Sequence, residues 1–420
     1  MISEQFVFAL HLEHSSDLIV KKMKILFLSL RCPYPPHRGD RIRSYHFIKQ
    51  LSKQHAITLV YFAESENDIE SAKHLQPFCE RVEWVRFHRS FAYMNTGLHC
   101  LSRRPLQLHY WYAPQMQRKV NQLLAEEHFE LIHAQLFRMG QYVTETQGPA
   151  KVLDLCDSLA LNLNRRANLD CIPKRFLVKL EEKRVRRYEI DIMKAFDCGT
   201  VVAHFDRDYL LKQDNSLNLA IVPMGVDLGY FRPSLKTDLR SSASPRLLFT
   251  GTMNYFPNAD AAIYFCNEIF PHVRERYPQA RFYIVGNHPS EQVRRLEAQD
   301  GVVVTGYVPD VRPYFEEASV FVAPLRAGSG IQTKNLEAMA MGVPVVTTAV
   351  GAMGLQADVG KELLVADTPI AFAEQVIDLL DNQHLRENIA QTARSRVEID
   401  YSWNAIGERL KQVYTQIQKR

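Results

Sequence analysis

Short apolar runs of strand length recur along this chain, each followed by a stretch of mixed polarity long enough for a helix. The first, KILFLSL at 24–30, leads through a Pro- and Gly-containing loop from Cys32 to Gly39 into a helical pattern over 40–54. Comparable runs stand at 57–62, 82–87, 130–134, 151–155, 199–202 and 219–222. The rhythm lapses after Pro223 in GVDLGYFRPSLKTDLRSSASP, rich in Gly, Pro and Ser, which marks a domain boundary. It resumes with runs at 246–250, 281–285, 302–304, 320–323, 343–347 and 363–365, alternating with helical patterns at 258–276, 289–299, 332–341 and 369–381. Runs that are apolar throughout are buried on both faces, as parallel sheets flanked by helices require. The pattern predicts an α/β chain of two doubly wound domains. Ligands of such sheets sit beyond the carboxyl ends of the strands, so the cleft between the domains is the expected site.

Composition narrows the picture. With 46% hydrophobic and 23% charged residues the chain reads as ordinary globular protein. Lys and Arg total 51 against 47 Asp and Glu, an excess too small and too dispersed for nucleic-acid binding. Seven cysteines are odd in number and carry no paired zinc-ligand spacing, which suits a reduced cytoplasmic protein without structural metal. No run reaches the 18 apolar residues of a membrane span, and Glu4, His11, Glu13, His14 and Asp17 interrupt any signal-peptide core. Residues 1–22 are expected to be an unstructured extension or a short amphipathic arm. The segment 174–190 holds seven basic and three acidic residues. On a helical wheel Arg175, Lys179, Lys183 and Arg186 share one face, with Leu177, Leu180 and Tyr188 opposite. That helix either contacts anionic lipid at the inner face of the cytoplasmic membrane or is a solvated face packed by its apolar side, and LHYWYAPQM at 108–116 offers a second contact patch.

Chemistry concentrates in 306–346. A strand at 320–323 runs into a loop with Gly328 and Gly330, and a helix starting near Gln332 carries Lys334 and Glu337. Backbone N–H groups at such a helix start favour an anion. Lys334 and Glu337, three apart, share a face, the cation suited to phosphate and the carboxylate to a pair of sugar hydroxyls. The bland alternative is a tight turn with a solvated Lys334. In the first half, Gly39, Asp40 and Arg41 follow the first strand, where Asp40 reads equally as a helix N-cap. Asp154 and Asp157, at the end of KVLDL, are candidates to take the proton from an acceptor hydroxyl, or else an N-cap or the buried partner of an Arg. His133 ends the ELIHA run near the expected cleft rim.

VPMGVDLGYFRP (222–233), GYVPDVRPYFEEASVFVAPLRAGSG (306–330) and LEAMAMGVPVV (336–346) resemble signatures of the retaining glycosyltransferases of family four, which have the GT-B fold. The resemblance runs in order over 23–420. RCPYPPHRGDRIRSYHFIKQL (31–51) and TGTMNYFPNADAAIYF (250–265) resemble a bacterial branch of sugar transferases associated with exopolysaccharide and exosortase systems. The resemblance implies an acceptor-side Rossmann-like domain at 23–228, a linker at 229–245 and a nucleotide-sugar-binding Rossmann-like domain at 246–398. The helix of 399–420 would cross back to the first domain. It further implies a retaining hexosyl- or glycosyltransferase, with a nucleotide-diphosphate-sugar as substrate, a glycan or lipid-linked acceptor, and neither metal nor cofactor. Donor contacts would come from Gly251, Asn258, Arg326, Gly328, Ser329, Gly330, Ile331, Gln332, Lys334 and Glu337, and acceptor contacts from Gly39, Asp40, Arg41 and His133, with Asp157 and Lys334 catalytic. The chain departs from the family pattern at four places. Ser329 stands where the family has the first of two glutamates, Thr252 and Pro257 where it has a diphosphate-binding Arg and Lys, and Cys156 where it has a His. Two rivals remain: a nucleotide-sugar 2-epimerase of the same fold, and a non-catalytic nucleotide-sugar-binding subunit of a polysaccharide assembly.

Overall fold

The computed structural model describes residues 22–167, 172–233, 244–328 and 330–419. Residues 1–21 of the expected extension and Ser329 lie outside the described residues. The apolar runs become two parallel sheets. The first contains β1 (Lys24–Ser29), β2 (Ala56–Ala63), β3 (Arg81–Arg86), β4 (Leu131–Gln135), β5 (Ala150–Cys156), β6 (Cys198–Val201) and β7 (Leu219–Ile221). Its spatial order is β3-β2-β1-β4-β5-β6-β7. The second contains β8 (Arg246–Thr250), β9 (Arg281–Val285), β10 (Val302–Gly306), β11 (Val320–Ala323), β12 (Val345–Thr347) and β13 (Leu364–Val365), in the order β10-β9-β8-β11-β12-β13. This is the expected α/β architecture.

In each sheet the winding reverses next to its first strand, between β1 and β4 and between β8 and β11. Loops leaving the two strands at such a point diverge to opposite faces and open a crevice at the carboxyl edge. The helices that matter for the site begin there. They are α1 (Gly39–Leu51), α2 (Arg89–Leu98), α3 (Leu159–Ala167), α4 (Ile172–Met193), α5 (His204–Leu211), α6 (Phe256–Tyr264), α7 (Thr333–Ala340) and α8 (Trp403–Gln418).

Helix α8 lies on the first sheet's layer, its buried Trp403, Ile406, Leu410, Tyr414 and Ile417 recurring at the three-to-four spacing of one helix face. Trp403 stacks on His46 of α1 at 4.4 Å, and Gly407 lets α8 approach so closely that a side chain there would meet Gln50 at 2.8 Å. The Val226 amide, donating to the Tyr401 carbonyl at 2.8 Å, ties the connecting segment to the start of this helix.

Several local expectations change. The helical pattern at 258–276 is broken into α6, a π turn at Phe265–Ile269 and a helix at Phe270–Arg276, because Pro271 cannot supply an N–H to a continuous helix. Most apolar residues of the expected contact patch at 108–116 are interior, Leu108, Trp111, Ala113 and Met116 being buried in the first domain's core, while Tyr112 is exposed. Leu177 and Leu180 of α4 are exposed instead of packed, while Tyr188 sits against Phe137 at 5.8 Å. Arg186 is paired with Glu182 at 3.3 Å.

Candidate functional site

In the C-terminal crevice, the chain leaves β8 at Gly251 and turns into α6. Gly251 is required by close approach, since a Cβ there would lie 2.6 Å from the Asn258 amide nitrogen. Asn258, buried in the first turn of α6, closes the turn by donating to the Thr252 carbonyl at 3.1 Å. Its side-chain oxygen accepts a hydrogen bond from the Nζ of Lys334, in the first turn of α7. Lys334 is thus brought to the mouth of β8, its Nζ 4.7 Å from the Phe249 ring centre. Both helix N-termini open onto this crevice, so their free N–H groups and partial positive charge converge on it.

Burial lowers the Lys334 ammonium to about 7, the Glu337 carboxylate partly opposing the shift. Glu337, one turn along α7, is pushed up to about 7 by burial, with Lys334 pulling the other way. Burial thus works against the charged form of both groups, and each offsets the other's shift only in part. The loop between β11 and α7 is pinned by Thr348, whose hydroxyl donates to the Leu325 carbonyl at 2.5 Å. Gly330 adopts φ +68°, a conformation that favours glycine, just before Ile331 and Gln332 enter α7.

Arg326 is not brought to Lys334. Its guanidinium is held on Asp260 of α6 at 2.5 and 3.0 Å and lies 4.4 Å over Tyr264. Sequence reasoning missed the neighbours of Glu337 on the other side. The Tyr230 hydroxyl donates to Asp310 at 3.1 Å and carries Arg312 4.3 Å above its ring, and the Glu337 charge reaches Tyr230. Both motifs that contain these residues were legible as motifs, but their meeting in space was not.

The N-terminal crevice is built from loops after β1, β4 and β5. Arg31 bridges Asp40 at 2.6 Å and Glu64 at 2.9 Å, and the Gln135 side chain donates to the Asp40 carbonyl at 2.7 Å. Asp40 sits inside the first turn of α1, whose N-cap is Arg38, so it is not the cap. Space is open beside Gly39, where an added Cβ would meet nothing within 4 Å. Arg138, in the short helix after β4, is half-buried and bonded through Nε to Gln107 at 2.6 Å. Burial and the charge of Arg31 lower it to about 10, with Asp157 and Asp40 opposing. Asp157 accepts from the Asn162 amide at 2.6 Å, and burial raises its carboxyl. Cys156 before it is held at φ +62°, a conformation non-glycine residues seldom adopt, which re-aims the chain at the end of β5.

Three candidates leave this crevice. Arg41 turns to Asp68 at 3.1 Å. His133 is 0% exposed, mid-strand rather than strand-end, stacked on Phe27 at 4.5 Å and bonded to the Tyr414 hydroxyl at 2.8 Å. Burial lowers it to about 4, so it is a neutral core residue beneath α8 and no part of the cleft rim. Asp154 is fully buried, gripping Arg43 at 2.7 and 2.8 Å and accepting from Thr200 at 2.7 Å. Two carboxylates that sequence reasoning did not single out, Glu189 and Asp206, hold the start of α3 through Leu159 N–H at 2.7 Å and Ser158 N–H at 3.0 Å.

The two carboxyl edges face each other. Gly354, after β12, sits so close to Ala203 and Phe205, directly after β6, that an added Cβ would lie 3.4 and 3.3 Å from them, and 3.2 Å from Ile331. Arg165 of α3 reaches the Met353 sulfur at 3.2 Å.

Residues 244–382 match the family described as "Glycosyl transferases group 1". That match lies in the C-terminal domain. The two domains together have the GT-B fold. The chain is similar to a 44.6 kDa protein of the cps region of Klebsiella pneumoniae, 22% identical over 389 residues, which cover 90% of this chain and 96% of that one. It is 28% identical over 213 residues to the GDP-mannose-dependent monoacylated alpha-(1-6)-phosphatidylinositol monomannoside mannosyltransferase of Corynebacterium glutamicum. That match covers 46% of this chain and 55% of the mannosyltransferase, about half its length. Among solved structures, the Anabaena protein HepE in complex with UDP and glucose superposes with a TM-score of 0.66 at 15% identity, covering 94% of this chain and all of that one.

Proposed function

We propose that this protein transfers a sugar from a nucleotide-diphosphate donor to a hydroxyl of a glycan or lipid-linked acceptor, in the assembly of a capsular or exopolysaccharide. The convergence of Lys334, Asn258 and two helix N-termini at the second sheet's switch point, opposite Asp157 and Arg138 at the first, carries this reading. The cps-region relative and the UDP held by a structure of the same fold support it.

In this reading the diphosphate lies against the N–H groups of α6 and α7, and its charge draws Lys334 back to the ammonium form. Glu337 accepts hydrogen bonds from the ribose. As the bond between the anomeric carbon and the phosphate oxygen breaks, negative charge grows on the leaving diphosphate, where fixed donors stabilise it most. The acceptor oxygen bonds to the anomeric carbon on the face the diphosphate leaves, so configuration is retained. Asp157 takes the hydroxyl proton, a task suited to a carboxylate whose pKa burial has raised toward the working pH. Thr252 and Pro257 supply no cation, which leaves Lys334 as the buried positive charge of the crevice.

A thermal-shift panel of uridine, guanosine, adenosine and thymidine diphosphates and their sugars tests the donor class. At one hundred times its dissociation constant a matching ligand stabilises the fold by about 2.7 kcal/mol. One base should stand out. No stabilisation by any of them would remove the donor reading.

A further inference from the structure

We infer that the surface formed by α2, the turn that follows it and the first half of α4 docks on an anionic lipid bilayer. Leu98 is 75% exposed and Leu101 92%, at the end of α2 and in the turn beyond. Phe176 is 72% and Leu177 65% exposed on α4, with Met94 and Leu180 also outside the core. Single exposed apolar residues are ordinary; a contiguous set is not.

Contiguity follows from the contacts between the two elements. Arg184 of α4 donates to the Cys100 carbonyl at 2.9 Å, and the Leu106 N–H donates to Glu181 at 2.7 Å. Positions 177, 180, 181 and 184 fall on one helix face. The side of α4 that grips residues 100–106 therefore continues outward as Leu177 and Leu180, beside Leu98 and Leu101.

Charge selects the occupant. Arg103 and Arg104 are exposed beside Leu101, and Lys179 and Lys183 are exposed on the flank of α4 next to Phe176, away from Leu177; none of the four makes an ion pair among the described residues. The nearby acids are turned inward: Glu181 to the Leu106 N–H and Arg184, Glu182 to Arg186. Protruding leucines and aromatic tips within a cationic field match shallow insertion among anionic headgroups, each cation adding electrostatic attraction near the surface. Both α2 and the α3–α4 pair stand at the carboxyl edge of the first sheet, α3 carrying Asn162, the partner of Asp157. A bilayer on this surface would bring a membrane-borne acceptor to the Asp157 side; that last step rests on the proposed function, whereas the docking itself does not.

Sedimentation of the full chain with vesicles of phosphatidylcholine, with and without phosphatidylglycerol, tests the docking. The protein should pellet with the anionic vesicles, and added salt should release it. Leu101→Asp with Leu177→Asp, and separately Arg103→Glu with Lys179→Glu, should each lower vesicle affinity at least about tenfold. Melting temperature and nucleotide binding should stay as in the wild type, because these side chains are exposed and outside the crevices. Three results would overturn the inference: no pelleting, equal pelleting with neutral vesicles, or undiminished pelleting of both variants. So would light scattering that shows a dimer lost in the same variants. Vesicle binding without any nucleotide response would sink the transferase reading and leave the docking surface standing.

Discussion

Lys334 and Glu337 show what burial does to a pair of opposite charges. In the folded, ligand-free chain Lys334 holds its proton only up to about pH 7, whereas its ordinary value is 10.5. Between those values the unfolded chain binds more protons than the folded one, so the Lys334 contribution makes stability rise with pH. Glu337 works the other way: raised from 4.5 to about 7, it keeps extra protons in the folded state, and its contribution is lost as pH climbs to neutrality. The pair is therefore least favourable near pH 7, where a bound diphosphate would relieve it. Lys334→Met should flatten the rise in unfolding free energy between pH 7.5 and 9.5 in urea melts; a slope equal to that of the wild type would mean that Lys334 is not buried as a strained cation. Lys334 and Glu337 were readable from the sequence because a glycine-rich turn and a helix start fix both position and direction. Asp154 took the buried Arg-partner role that was one of its readings, whereas His133 was misplaced because a strand alone does not say which layer covers each of its faces. Here α8, distant in sequence by 281 residues, covers His133.

At the scale of elements, parallel strands are the most legible feature, since burial on both faces leaves an unbroken apolar signature. The α-helical connections were less so. A proline at position 271 divides what periodicity alone joins, and the apolar residues of 108–116 looked like a contact surface because nothing local shows that Trp111 packs on Phe62 of β2 and Phe87 after β3. Two elements are held by contacts that can be weighed. The Arg43–Asp154 pair is fully buried and Arg43 also donates to the Pro223 carbonyl at 3.0 Å, joining α1, β5 and the end of the first domain. Removing one partner strands the other, and Asp154→Ala should cost about 3–5 kcal/mol in denaturant melts. A cost below the error of the melt would mean the pair is solvated. Where Gly407 meets Gln50, Gly407→Leu overpacks the seat of α8 and should cost about 1–3 kcal/mol. An unchanged midpoint would show that α8 does not pack so closely.

The whole molecule is arranged so that two carboxyl edges meet, with the C-terminal domain and the N-terminal domain each offering one switch-point crevice. Chain order and sheet order together fix where those crevices lie, which is why the location of the site was legible while several of its members were not. Arg326 and Arg41 found local acidic partners that a linear reading cannot see. Tyr230 meets Asp310 and Arg312 from a separate segment, within reach of the Glu337 charge. If the crevices divide the work, donor binding at the second sheet and proton transfer at the first, one comparison separates them. Calorimetric titration with the nucleotide-sugar that stabilises the fold would be run on Lys334→Met and on Asp157→Asn, alongside sugar transfer. The predicted result is donor affinity at least about tenfold weaker in Lys334→Met, the loss of one charge-assisted hydrogen bond. Asp157→Asn should bind the donor as the wild type does and fail in transfer. Normal donor affinity in Lys334→Met, or donor binding lost in Asp157→Asn instead, would contradict the account.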